Sequence, residues 1–545
     1  VIAAEYLRVL PFKDKHGWRP EGCTIGADWL WGETRFSIGM WVGGAVSPNH
    51  IRGENGAVKA LQDPLFSGGD PAQIIKCPAC GEWLSIPNAG LPSDENTLHL
   101  VIRSDTDGSL GGTLDGMVYS GVITGIRLVD SDLPSPYHRI EIRTNSTQKI
   151  QAREFDEEIR KIGANTGFTT ASFRPSRPGY FPISPEPGRK AVDKYSGFEI
   201  FCPNPRCDLN HIGEWKEGVP CSSQTEGIGI GGLHAQDLPE AFSRRTAMPI
   251  PAYTVDEQIY HRCPTVIIST ADKIARLAFE PRAGSMFGDV KRYNRYYGYI
   301  RGTEEEQAYL PYGGGSSLPK AAFHPGSTVD VKPFLPPDLI LQDELHLMDG
   351  PLGSMFGLYE MVVDGLIKRA GGRPKYVASS ATVKRAEDQV HQIFNRGTFQ
   401  FPPSGLSIRD SFFTRFPGQE SAWDENGAGK VYMGVYAPGM GPLTPIIRLW
   451  SRILKVGWDL QEDQFINNYW TLVGYFNSLR ELGGAGSLYH EDIVERLSFI
   501  SDGDTRTLDP ERAVELSSRI NSTDIPQLLE DLEQGKNREH RENPD

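Results

Sequence analysis

Asp343-Glu344 stands at the end of a short apolar run, Leu339-Ile340-Leu341, and is followed by Leu345-His346. Two adjacent carboxylates at a strand end point to different sides, so they can divide two tasks. Phosphoryl transfer by ATP-driven enzymes is mainly positioning and charge neutralisation. Asp343 is suited to hold Mg2+ through its water shell, and Glu344 to orient and activate the attacking water. His346 would sit near an interdomain face and couple the site to nucleic acid. Alone, an Asp-Glu pair more often marks a strand running into a charged turn. Here a second apolar run, Tyr376-Val377-Ala378, ends in Ser379-Ser380-Ala381-Thr382. Together the two endings point to a nucleic-acid-dependent ATPase.

The cysteines carry a second chemistry. Cys77-Pro78-Ala79-Cys80-Gly81 has the shape of a zinc knuckle, in which Gly lets the backbone turn under the thiolates. Cys202 and Cys207 offer two further ligands, with His211 and Cys221 as substitutes. The interval between the pairs is long for a zinc ribbon and requires an inserted lobe. Such a Zn2+ would be structural, since four thiolates leave no open position. Free thiols brought near each other by chance are the plainer alternative. Cys23 and Cys263 read as ordinary buried residues. Seven cysteines in 545 residues form no secreted disulfide framework, and their close pairing points to metal in a reducing cytoplasm.

Two other stretches have a functional and a plain reading. Lys291-Arg292-Tyr293-Asn294-Arg295-Tyr296-Tyr297 mixes rings and cations, which suits base stacking and phosphate contact, and equally a packed surface helix. Gly427-Ala428-Gly429-Lys430 looks like a phosphate loop but lacks the leading strand, the earlier glycine and a following Ser or Thr. It reads as a turn before a strand at 431–435.

The elements that must position these residues follow from the apolar pattern. Phe36 to Val42, Thr265 to Ile268, Leu339 to Leu341 and Tyr376 to Ala378 are four short runs, each ending in small or polar residues. Continuous apolar strands imply burial on both faces, as in a parallel α/β sheet. Ligands of such sheets sit at the carboxyl ends of the strands. Helical patterns lie between the runs, and a long helix is predicted over 463–482. From 71 to 250 the chain is rich in Gly, Pro and Thr, alternates through 98–150, and reads as a β-rich insertion holding the cysteine pairs. The organisation is thus a first lobe in two parts, 1–70 and 251–385, an insertion at 71–250, and a second α/β unit at 386–545. Hydrophobic residues make up 39%, enough for ordinary cores, and no run of 18 apolar residues is present. The net charge of −14 argues against a histone-like DNA coat but not against a motor that grips phosphates in local grooves.

At this point the residues resemble a known family. The run from Pro337 to Ser354 is similar to the motif-II region of the DrmA family, helicase subunits of the DISARM anti-phage systems and members of superfamily 2. Ile259-Tyr260, Pro264 to Lys273 and Leu472 to Leu482 are similar as well. The resemblance implies two RecA-like lobes, with the zinc-bearing insertion in the first and the second incomplete. It implies ATP and Mg2+ as cofactors, DNA as a partner, and a second DISARM subunit, DrmB. Gly43 and Gly44 would match a glycine pair that lets the nucleic-acid backbone approach closely. Thr270 and Lys273 would touch phosphates of the tracked strand; the plain reading is a helix cap beside a solvated lysine. Ser380 and Thr382 would link the ATP state to domain closure. Arg519, in Ser517-Ser518-Arg519, would contact the strand from the second lobe.

The sequence also departs from the family. No Gly-x-x-x-x-Gly-Lys-Ser/Thr loop is present, and neither is the late motif with its arginine finger. We therefore expect the chain to cover the middle of a motor and not to hydrolyse ATP unaided. The alternative is a DNA-binding scaffold that keeps a motor fold for shape and partner docking.

Overall fold

The computed structural model describes the chain outside residues 13–14, 17–30, 32–34, 94, 106–109, 120, 130–132, 184–194, 196, 212–238, 243–246, 295–297, 302–327, 381–385, 404, 406–411, 414–431, 442, 461–469, 502–507, 509–512, 521–524, 526–527 and 530–545. It divides into two compact units, Val1–Thr398 and Phe399–Asp545.

In the first unit the run at 36–42 forms β1 (Ile38–Trp41). A β-rich stretch follows, with β2 (Asn96–Ser104), β3 (Ile123–Val129), β4 (Tyr137–Thr144), helix α1 (Ala152–Thr166), β5 (Phe168–Thr170), β6 (Tyr180–Ile183) and β7 (Gly197–Ile200). The chain then supplies β8 (Ala252–Tyr253), α2 (Asp256–Arg262), β9 (Val266–Ser269) and α3 (Ala271–Ile274). After these come β10 (Leu339–Gln342), α4 (Gly350–Arg369), β11 (Lys375–Ala378) and α5 (Ala386–Phe394).

All four apolar runs are parallel strands, as an α/β class requires. β1 lies between β8 and β9 and is parallel to both. β10 and β11 pair in parallel, Leu339 opposite Lys375 and Gln342 opposite Ala378. Gly39 is needed where β1 passes α2, because a Cβ there would lie 2.8 Å from Pro264 Cγ. Burial on both faces is not observed. Ile268 is 57% and Leu341 69% exposed. The described parallel sheets have only three and two strands, too narrow for helices to cover both faces.

The β-rich stretch builds its own core. β3, β4, β2 and β5 form an antiparallel sheet in that order. Alternation along β2 sends Leu98, Leu100 and Ile102 into one core with Phe155, Ile159 and Ile162 of α1. Those helical positions recur at the spacing that makes one apolar stripe, and Gly167 closes α1 at φ +82. On the opposite face Val101 packs against Phe181, Phe201 and Phe242.

The predicted aromatic-basic stretch is neither a helix nor an open platform in its described part. Arg292–Asn294 is a strand, and Tyr293 is buried against Tyr299. Arg295, Tyr296 and Tyr297 lie outside the described residues.

The second unit contains α6 (Leu443–Asp459), α7 (Leu479–His490) and α8 (Asp492–Ser501), packed around Leu454, Leu488, Ile493 and Leu497. Its described residues form helices and no strand. The strand predicted at 431–435 is not formed over 432–435, and Val431 and the Gly427–Lys430 turn lie outside the described residues. The helix predicted over 463–482 begins only at Leu479; 461–469 lie outside the described residues. Ser478 sets that start by accepting a hydrogen bond from Glu481 N at 3.3 Å, the Ser-x-x-Glu arrangement that satisfies a helix N-terminus. Among the described residues no helix is long and apolar enough to cross a membrane.

Candidate metal centre and carboxylate site

Two turns bring four cysteines together. The first is bracketed by an antiparallel bridge between Lys76 and Trp83. Within it Cys77 N donates to Glu82 O at 2.7 Å, and Gly81, at φ +76, donates to Cys77 O at 2.8 Å. The second follows β7. Cys207 N donates to Asn204 O at 3.2 Å, and Asn210 Nδ2 donates to Cys202 O at 3.0 Å. The pairing of β6 with β7, and the bond from Met248 N to Leu209 O at 2.7 Å, hold this turn against the core.

The sulfurs of Cys77, Cys80, Cys202 and Cys207 all lie within 4.8 Å of one another. Cys77 and Cys207 are 3.8 Å apart, and Cys80 and Cys202 3.5 Å. Tetrahedral Zn2+ at about 2.3 Å from each sulfur would space them about 3.8 Å apart, so the donor set fits that ion. Cys80 alone is exposed. The thiols ionise interdependently. Hydrogen bonds from Cys202 and Cys207 hold Cys77 below the ordinary thiol range and bring Cys80 down to about 7. Bonding to Cys207 and burial push Cys202 up. His211 is exposed and its ring meets Pro205 O, so it is not a fifth candidate. Cys221 and Cys23 lie outside the described residues. Cys263 is half-buried, and burial raises it to about 12.

The carboxylate site is set by the parallel register. Gln342 faces Ala378, so the next residues, Asp343 and Ser379, leave their strands side by side. Ser379 Oγ donates to Asp343 Oδ1, Ser379 N donates to Gln342 O at 2.8 Å, and Leu345 N donates to Ser379 O at 2.9 Å. Glu344 N donates to Asp343 Oδ1 at 2.9 Å. The Ser379 hydroxyl, and then the Glu344 N–H, hold the Asp343 carboxyl below its usual range. Glu344 sits at φ +50, a conformation that costs a side-chain-bearing residue about 1–2 kcal/mol. His346 Nδ1 lies 3.2 Å from Glu344 Oε2. Gln389 of α5 donates to the carbonyls of Leu345 and Met348, 2.9 Å each, and pins the loop. Asp343 and Glu344 are both exposed.

The remaining predicted residues are scattered. Gly43 and Gly44 follow β1, where Gly43 O accepts from Val46 N at 2.9 Å. A Cβ at Gly43 would meet nothing within 4 Å, so no contact inside the chain demands this glycine. Thr270 caps α3 without a side-chain bond. Lys273 is a buried, paired lysine. It is 1% exposed, pairs with Asp256 and reaches Asn49 Oδ1 at 3.1 Å, so its ammonium does not face solvent. Ser380 is one residue beyond the contact that Ser379 makes, and Thr382 lies outside the described residues. Arg519, in the second unit, is exposed and 3.8 Å from Glu515. Ser379 is the residue that motif reasoning passes over; the polar ending of the second apolar run is its only sequence signal.

An α/β chain with a four-thiol cluster and a carboxylate pair at a strand end is therefore the class of protein in hand. No family model matches the chain. It is similar to the DISARM protein DrmA of Bacillus paralicheniformis, with 43% identity over 298 residues, covering 52% of this chain and 25% of that protein. The chain thus spans about a quarter of the length of the curated relative it matches. The expected resemblance holds: this is a DrmA-like chain.

Proposed function

We propose that this chain belongs to a DNA-directed, ATP-dependent translocase or helicase subunit acting in a DISARM-type anti-phage defence system. The observation that carries the reading is the Asp343–Ser379 pairing at the ends of two parallel neighbours. Similarity to a DISARM protein supports the cellular setting. In this reading the first lobe is RecA-like and interrupted by the zinc-bearing insertion at 71–250, and the second compact unit, Phe399–Asp545, belongs to a second lobe. Asp343 would hold Mg2+ through water and Glu344 would take a proton from the attacking water. His346, paired with Glu344, and Ser380 and Thr382 would transmit the nucleotide state. Gly43, Gly44, Thr270 and Arg519 would meet the DNA backbone. Lys273 would act one step back, by holding Asp256. Zn2+ on Cys77, Cys80, Cys202 and Cys207 would clamp the two turns together. Work on DNA alongside a second subunit of the DrmB kind would take place in the cytoplasm.

A second reading rests on one observation, the lack of a phosphate-loop motif within these 545 residues. In it the motor fold is a DNA-binding scaffold for partner docking. DNA-stimulated ATP hydrolysis by the full-length protein separates the two: turnover supports the motor, and DNA binding without turnover supports the scaffold.

A further inference from the structure

We propose that the groove between α4 and α5 binds a cationic ligand, an alkylammonium or guanidinium head on a short aliphatic stem, with Glu360 as its counter-ion. The groove has a volume of about 1490 Å³, and Glu360 of α4 lines it while being only 4% exposed. Its Oε2 has no hydrogen-bond partner. Buried carboxylates are ordinarily paired, because an unmade bond leaves their desolvation uncompensated.

Two of the groove's cations are engaged elsewhere, and a third lining residue, Arg373, is exposed. Lys368 Nζ lies 2.6 Å from Asp364 Oδ2, and Arg396 Nη2 lies 2.6 Å from Asp364 Oδ1. Arg396 also covers the Tyr376 ring at 4.6 Å. Among the described residues no cation pairs with Glu360. The Tyr376 hydroxyl, from β11, is buried in the same groove, beside Asp364 and Glu360. Burial and then the neighbouring Asp364 push Glu360 up to about 7, as befits a carboxylate lacking a cation. The titratable groups facing it are Asp364 of its own helix and Tyr376 of β11.

Ligand chemistry follows from this lining. Glu360 and Asp364 disfavour a phosphate or carboxylate. Met361, Ile393 and Phe394 give an apolar wall for a hydrocarbon stem. His346 lines the groove too, and Gln389 ties α5 to the carboxylate loop. An occupant would therefore border His346, which lies 3.2 Å from Glu344.

The test is calorimetric titration of the full-length protein with spermidine and, separately, with arginine amide. It is run at about 0.15 M salt, where attraction to the net charge is largely screened. We expect saturable one-site binding of at least one probe, weakened about tenfold or more by Glu360→Gln and severalfold by Tyr376→Phe. Spermidine binding identifies a free polyamine as the natural occupant; binding of arginine amide alone identifies a basic side chain of a partner. Glu360→Gln replaces a buried charge with a neutral group of the same shape, and Tyr376→Phe removes one hydroxyl, so either variant reports if the other misfolds. Equal affinity in wild type and both variants, or no saturable binding of either probe, overturns the proposal.

Discussion

Ser379 holds the Asp343 loop twice: its hydroxyl donates to Asp343 Oδ1 and its carbonyl accepts from Leu345 N at 2.9 Å. One residue at the end of β11 thereby fixes both the carboxylate and the turn that carries Glu344. Ser379→Ala removes the first of these bonds and keeps the second. Turnover of the full-length protein should fall roughly tenfold, while the melting temperature stays unchanged because the site is exposed. Wild-type turnover in Ser379→Ala would leave the hydroxyl without a role.

Lys273 should behave as a structural lysine. Breaking a buried pair by removing one partner costs about 3–5 kcal/mol, because the other charge is left uncompensated. Lys273→Met strands Asp256, whose carboxyl burial already pushes upward. We expect a loss of that order in urea unfolding, with the salt dependence of DNA binding unaltered. A stable variant with a shallower salt slope would instead make Lys273 a phosphate contact.

For the cysteine cluster, elemental analysis should give one zinc per chain. Cys202→Ser should lose it and lower the melting temperature, since binding energy at a structural zinc site is folding energy. Less than half a zinc per chain in the wild type would refute the centre.

Glu360 gives stability a pH dependence of definite sign. Its folded value of about 7 lies above the ordinary 4.5, so the folded state favours the protonated form. Its stability is fully present below the unfolded value and declines as pH rises toward and through 7, by about 3 kcal/mol in all. Glu360→Gln should flatten that decline and be more stable than wild type at pH 8. Parallel unfolding curves for both proteins from pH 5 to 8 would contradict the assignment.

How much of this is legible in the sequence varies with the kind of claim. The apolar runs at 36–42, 265–268, 339–341 and 376–378 declare themselves as strands, because short aliphatic runs with polar endings have few other uses. Cys77, Cys80, Cys202 and Cys207 declare themselves by close pairing, and the structure does bring them together. Burial does not follow from residue type: Ile268 and Leu341 are apolar yet exposed, while Lys273 is charged yet buried. The partner of Lys273, Asp256, comes from another helix, and no local pattern announces it. Ser379 is hidden for a related reason. Motif resemblance points to Ser380 and Thr382, whereas contact with Asp343 is fixed by the pairing of Gln342 with Ala378. In the second unit, apolar periodicity over 463–482 is overruled at its described end by the cap at Ser478.

The most direct measurement is ATP hydrolysis by the full-length protein, with and without DNA, in wild type and Glu344→Gln. The motor reading predicts DNA-stimulated turnover in the wild type. It predicts a drop of about 100-fold or more in the variant, the range expected for loss of a positioned base, with DNA binding retained. Turnover in Glu344→Gln equal to wild type, or no DNA-stimulated turnover in the wild type, would contradict it.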